Sequence, residues 1–238
     1  MSRRRFFVDS VSGGLAELRG EDAHHLSRVL RAEPGQQYEI CDRQSVWLAE
    51  IVDAAPGRVV FRTIEELTPP ALPVSVTIYA ALVKFDRFEW MIEKATELGV
   101  ERITPVEAAR SEKGLFEASA KRRERWLRIV AEAGRQSRRV RPPEILPAIG
   151  FPDALKAVAR FRYLLDEECA PPLSRALPAE RSASDQIAIL VGPEGGWTAR
   201  EREAAAEAGW QPASLGPTIV RAETAAIAAT AILINAFL

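Results

Sequence analysis

Three prolines fall within the seven residues Leu67-Thr68-Pro69-Pro70-Ala71-Leu72-Pro73. Proline has no amide hydrogen to give and a fixed φ, so neither a helix nor an interior strand can run through this segment. The hydrophobic pattern changes across it. Before it, β-rich runs at Gln37 to Cys41, Val46 to Val52 and Arg58 to Ile64 are separated by turn signals at Asp42 to Ser45 and Ala54 to Gly57, with one amphipathic helical stretch near Asp22 to Leu30. After it, strands alternate with helices: a strand at Val74 to Leu82, a helix at Arg87 to Leu98, a strand at Arg102 to Val106, and a long helix around Ala118 to Gln136. Such alternation builds a parallel sheet. The expected fold class is α/β, with a small β-barrel at 1–68 and a parallel-sheet domain at 74–238.

The helix from Arg87 places Phe88, Met91, Ile92, Ala95 and Leu98 on one face and is followed by Gly99, where a left-handed cap is wanted. Lys94 and Glu97 sit three residues apart on another face, a spacing that fits a surface ion pair as well as a site role. Phe161 to Asp166 and Gln186 to Val191 read as buried strands, and Thr224 to Phe237 reads as an apolar last helix. That helix is short of the roughly 20 residues needed to cross a bilayer. The N-terminus carries arginines but no apolar signal run, so a soluble cytoplasmic protein without a membrane partner is expected. Cys41 and Cys169 match no metal spacing, and the two histidines, His24 and His25, are adjacent, so no metal is expected.

A net charge of −1 hides an asymmetry. Arg110 to Arg141 holds eleven basic and four acidic residues, a local +7 against −8 for the rest, and 27 of the 32 basic side chains are arginine. Clustered guanidinium groups suit phosphate and base stacking, although an ordinary solvated helix face gives a similar count.

Two loops carry the chemistry. The strand Gln186 to Val191 runs into Gly192-Pro193-Glu194-Gly195-Gly196-Trp197, and Thr198 with Glu201 forms a capping box for the helix beyond. Glycines there let backbone amides approach a ligand, while the spacing excludes both the dinucleotide fingerprint and the P-loop. Downstream, Leu215-Gly216-Pro217-Thr218-Ile219-Val220-Arg221-Ala222-Glu223 leads into the last helix. A carboxylate at a helix start is favoured by the unpaired amides, and an arginine beside it can reach an anion or a polarised carbonyl. Asp166, Glu167 and Glu168, at a third strand end, would join these loops if the strands are neighbours.

Together with Lys94-Ala95-Thr96-Glu97-Leu98-Gly99-Val100, Gln136-Ser137-Arg138-Arg139 and His25-Leu26-Ser27-Arg28-Val29-Leu30-Arg31, these loops resemble the 16S ribosomal RNA (uracil-N3)-methyltransferases, of the SPOUT class. The resemblance spans nearly the whole chain. It implies a SPOUT domain with a C-terminal trefoil knot, preceded by a PUA-like barrel, acting as a homodimer on 16S ribosomal RNA within the small subunit. It implies S-adenosylmethionine as cofactor, held by Leu165, Gly192, Pro193, Glu194, Gly195, Gly196, Leu215, Gly216, Ile219 and Val220. The RNA is expected to meet Arg5, His25, Arg28, Arg31, Lys84, Arg110, Gln136, Arg138 and Arg139. Thr218, Arg135 and Phe85 depart from the family pattern, which usually has Arg, an acidic residue and Gly there.

N3 of uridine must lose its proton before it can attack a sulfonium methyl, which calls for a general base and a group to stabilise the anion. Glu223 is the expected base, with Glu194 second, and Arg221 or Arg139 the anion stabiliser. Trp126 and Trp197 are expected to pack, with base stacking as the other use of Trp197. Two rival readings are a ribose 2'-O-methyltransferase of the same knotted class and a non-catalytic RNA-binding assembly factor. The barrel and the Lys94 to Val100 motif speak against the first, and the intact loops against the second.

Overall fold

A computed structural model describes residues 4–69, 71–168 and 170–238. The chain divides into two compact units, Met1–Ala71 with Arg138–Arg141, and Leu72–Ser137 with Pro142–Leu238. The first unit is therefore discontinuous in sequence.

In it, β1 (Arg5–Phe7), β2 (Val11–Ser12), β3 (Leu15–Arg19), β4 (Gln37–Cys41), β5 (Val46–Ala55) and β6 (Arg58–Leu67) form one sheet in the order β1-β4-β5-β6-β3-β2. All pairs are antiparallel except β1 with β4. Alternation sends Val59 and Phe61 of β6 inward and Arg58 and Arg62 outward. Register shifts at Leu48/Ala49 and Ile51/Asp53 bend the long β5–β6 ribbon around a single core that includes Phe6, Leu26, Ile40, Ile51 and Phe61. The helical stretch is α1 (Gly20–His24) continuing as a π-helical turn, His25–Val29, which buries Ala23 and Leu26. Arg5 ties in the distant segment: it pairs with Glu39 and donates to the Arg138 carbonyl at 2.6 Å.

In the second unit the elements run β7 (Ser75–Ala81), α2 (Phe85–Leu98), β8 (Arg102–Glu107), α3 (Leu115–Gln136), β9 (Glu144–Ile145), β10 (Ile149–Gly150), α4 (Phe151–Ala154), β11 (Phe161–Leu165), α5 (Leu173–Ala176), β12 (Gln186–Val191), α6 (Ala199–Glu207), β13 (Gln211–Ala213) and α7 (Ala222–Ala236). The sheet order is β10-β8-β7-β12-β11-β13, with β9 also on β8, and every pairing is parallel. Both faces are buried, and the period of two sorts the side chains. Ile187, Ile189 and Val191 join the core shared with α2, α3 and α7, whereas Ala188 and Leu190 join the one containing Phe151, Trp197 and Trp210. The helices α2, α3 and α7 start at Phe85, Leu115 and Ala222, two or three residues before the positions expected from the sequence. Lys94 bonds Glu93 and Glu97 at 2.7 and 2.8 Å, the surface-pair reading. No described helix is long and apolar enough to cross a membrane.

Two positions test this packing. Gly99 ends α2 at φ 104°, and a Cβ there would lie 3.0 Å from Leu72 Cδ2. Gly99→Ala should lower stability by about 1–2 kcal/mol in urea unfolding, with an unchanged m-value. At the opposite end of the sheet from the strand C-termini, burial works against the charged Asp185 carboxylate, but the Ser182 amide and the Arg160 guanidinium outweigh it and hold its pKa below the usual range. Its contribution is then present above the unfolded-state pKa of about 3.9 and is lost as the pH falls through the lower folded value. Thermal melts should show a shallower acid-side decline for Asp185→Asn than for the parent chain, and parallel curves would refute this.

Candidate active site

The strand β11 lies between β12 and β13, so the loops leaving Leu165, Val191 and Ala213 emerge side by side at the carboxyl ends of three parallel strands. That is where open α/β sheets bind ligands. Backbone bonds fasten the three together: Asp166 N donates to Ala213 O at 2.9 Å, Ser214 N to Pro171 O and Leu173 N to Ser214 O, both at 2.8 Å. A cavity of about 400 Å³ opens between them.

Its wall contains most of the residues expected to hold a cofactor. Leu165, Gly192, Pro193, Glu194 and Gly196 contribute from the first two loops, and Leu215, Gly216, Ile219 and Val220 from the third. Gly195 is not on the wall. Its role is close approach: a Cβ there would lie 3.3 Å from the Arg110 side chain, whose guanidinium donates to Gly195 O at 2.6 Å. Arg110, expected to meet RNA, thus has a hydrogen bond that holds this loop.

The loop's shape rests on Trp197. Its indole, 1% exposed, donates to Leu165 O at 2.9 Å and lies 3.1 Å from where a Gly192 Cβ would stand. It packs and does not present a face for base stacking. Thr198 and Glu201 form the capping box that starts α6, and Glu201 Oε1 also accepts from Ala109 N at 2.8 Å. Gly196 (φ 68°) and Gly216 (φ 127°) occupy backbone conformations that side chains rarely adopt, and no atom within 4 Å would meet a Cβ at Gly216.

Charged groups on the wall were only partly legible in the sequence. Asp166, 7% exposed, is forked by Arg202 at 2.6 and 3.1 Å, and this pairing raises the already high pKa of the guanidinium. Glu167 lines the cavity, and Glu194 is ion-paired with Arg87, a residue no motif signalled because it comes from the start of α2. Thr218 and Arg221 also face the cavity. Glu223, in the first turn of α7, is 5% exposed and is not among the residues lining the cavity, although its neighbours Ala222 and Ala225 are, and its Oε2 has no hydrogen-bond partner among the described residues.

The residues expected to meet RNA divide between the units. In the second, Lys84 and Gln136 are exposed at the start of α2 and the end of α3. In the first, His25, Arg28 and Arg31 are exposed on or just after one helical turn, with His25 Nε2 accepting from Arg4 at 3.2 Å. Arg5 is largely buried in its pair with Glu39, and Arg138 and Arg139 lie in the segment that belongs with this unit. Arg139 is not among the residues lining the cavity. Among the described residues no cluster of side chains suits a metal ion.

A family model described as an RNA methyltransferase domain matches residues 70–234, and one described as an RNA methyltransferase PUA domain matches residues 18–64. Ribosomal RNA small subunit methyltransferase E of Synechocystis is 36% identical over 220 residues, covering 90% of this chain and 71% of the relative. The chain belongs to this methyltransferase family. Its fold is that of the SPOUT class with an N-terminal PUA-like domain. A solved ribosomal RNA small subunit methyltransferase E from Neisseria gonorrhoeae, bound to S-adenosyl methionine, shares 31% identity and a TM-score of 0.81 over 98% of both chains. A Legionella pneumophila protein in complex with the same cofactor shares 28% identity and a TM-score of 0.81, over 99% of this chain and 98% of that one.

If Trp197 props the loop as described, Trp197→Phe leaves the Leu165 carbonyl without its buried donor. Stability should fall by about 1–3 kcal/mol, read by denaturant unfolding. A loss within error of zero would show that the indole bond is dispensable.

Proposed function

We propose that this protein is a cytoplasmic, homodimeric enzyme that transfers the methyl group of S-adenosylmethionine to N3 of a uridine in small-subunit ribosomal RNA. The observation that carries the reading is the cavity at the three strand ends, lined by Gly192, Gly196 and Gly216 among others. Its size suits a nucleoside-sized ligand, and its wall mixes apolar Leu165, Val191, Ala213 and Leu215 with carboxylates suited to a cationic one. The two solved relatives hold that cofactor. S-adenosylmethionine supplies an electrophilic methyl group.

On this reading the chain's own residues manage charge and position. Arg221, exposed on the wall and preceding α7, faces the carbonyl oxygen that gains charge as the uracil loses its proton. Glu223 takes that proton, directly or by relay, and its buried Oε2 is the acceptor without a partner. A wall that seats both ligands would bring nucleophile and methyl group together, the proximity contribution to the rate. Support for the dimer comes from α7, which carries no charged side chain after Glu223, and from Ile219, 83% exposed on the preceding loop.

Incubation with S-adenosylmethionine and unmodified small ribosomal subunits, followed by mass spectrometry of the nucleosides, should yield 3-methyluridine. A 2'-O-methyl nucleoside would overturn the base assignment, and cofactor binding without any RNA methylation would favour an assembly factor. Glu223→Gln should slow methylation by about 10² to 10⁴-fold while still gaining thermal stability from the cofactor. An unchanged rate would remove Glu223 from the proton path.

A further inference from the structure

The charged groups on the cavity wall are unequal. Glu194 is ion-paired with Arg87. Asp166 is forked by Arg202, which also reaches Glu168. Glu167 is on the same wall and, among the described residues, has neither a hydrogen bond nor an ion pair.

Its position is nonetheless defined. A Cβ on Gly196 would stand 2.9 Å from Glu167 Oε1, so the carboxylate occupies space that only a glycine leaves free. On its own strand side, Asp166 N is bonded to Ala213 O and Asp166 Oδ1 accepts from Glu168 N at 3.1 Å, which fixes the backbone on both sides of Glu167. A carboxylate without a direct partner, attracted only at longer range by the Arg202 guanidinium, is thus held at the wall of a 400 Å³ cavity. Among the described residues of that wall, Arg221 is the cation without an ion pair, suited to an anionic group, and Glu167 is the carboxylate without one, suited to a cation.

We infer that Glu167 is the residue through which the cavity favours the sulfonium form of the cofactor over the thioether left after transfer. This rests on the cavity being the S-adenosylmethionine site. In the reaction the sulfur–methyl bond breaks with its electron pair remaining on sulfur, the N3–methyl bond forms, and the N3 proton leaves to a base. The bound cofactor thereby loses one unit of positive charge while its adenosine, ammonium and carboxylate groups are unchanged. A fixed carboxylate across a partly solvated cavity attracts the sulfonium in addition to whatever it contributes to the groups both forms share, so it ranks substrate cofactor above product and favours exchange after each turnover. Asp166 and Glu194 are each paired directly with an arginine, which weakens their pull on a bound cation.

Isothermal titration of the full chain with S-adenosylmethionine and with S-adenosylhomocysteine tests the inference in the parent, Glu167→Gln and Glu167→Asp. Glu167→Gln should weaken S-adenosylmethionine about tenfold and S-adenosylhomocysteine less than about twofold. Glu167→Asp, which keeps the charge, should retain most of the preference. Equal weakening of both ligands would overturn the inference in favour of a contact to shared groups or a collapsed loop, and no change in either would also overturn it. A parent chain that binds neither ligand would overturn the cofactor reading itself, an outcome distinct from loss of discrimination.

Discussion

The double pairing of one short strand governs the second unit. The strand Phe161–Leu165 bonds in parallel to Gln186–Val191 on one side and to Gln211–Ala213 on the other, although the three are far apart in the chain. Parallel pairing puts all three carboxyl ends at the same edge of the sheet, so the loops that follow have to share one space. Two-sided burial then makes the arrangement rigid: alternate residues of these strands enter separate cores, and a slip of one residue would exchange them. The loops can be rich in glycine because the sheet beneath them supplies the order that the glycines lack.

Arginine is used twice in that space as a brace. Arg202 converts Asp166 from a buried unpaired charge into a bidentate pair, and Arg87 makes an ion pair with the more exposed Glu194. Arg110, from a different strand end, spends its guanidinium on the carbonyls of Gly195 and Trp197. The arginine richness of the chain is therefore not one footprint. Part of it is internal scaffolding of the cavity, and part, such as the exposed Arg28 and Arg31, is free of that duty.

Much of this was legible in the residues. Val191 running into Gly192-Pro193-Glu194-Gly195-Gly196 announces a strand end opened for a ligand, and the capping box Thr198–Glu201 forms as its spacing demands. Gly99 takes the left-handed conformation expected at the end of α2. The strands missed were the two- and three-residue ones, including Gln211–Ala213, whose length is too short to show a period, and the five-residue Leu15–Arg19, where an exposed Leu15 beside a buried Ala16 blurs the alternation. Arg87, Arg202 and the seating of Glu167 against Gly196 were also invisible, because each depends on a contact between segments distant in sequence.

The sequence by itself determined most of the longer strands and helices, where the prolines interrupt them, and which loops are glycine-rich, since periodicity, propensity and backbone restriction act over a few neighbouring residues. Only the tertiary structure decided the strand order, the return of the chain from the edge strand to a last helix packed on Phe85–Leu98, and the partner of each charge around the cavity. It also assigned Arg138–Arg141 to the first unit rather than to the stretch of chain around it. Those outcomes come from long-range hydrogen bonding and burial, which join residues that no local pattern relates.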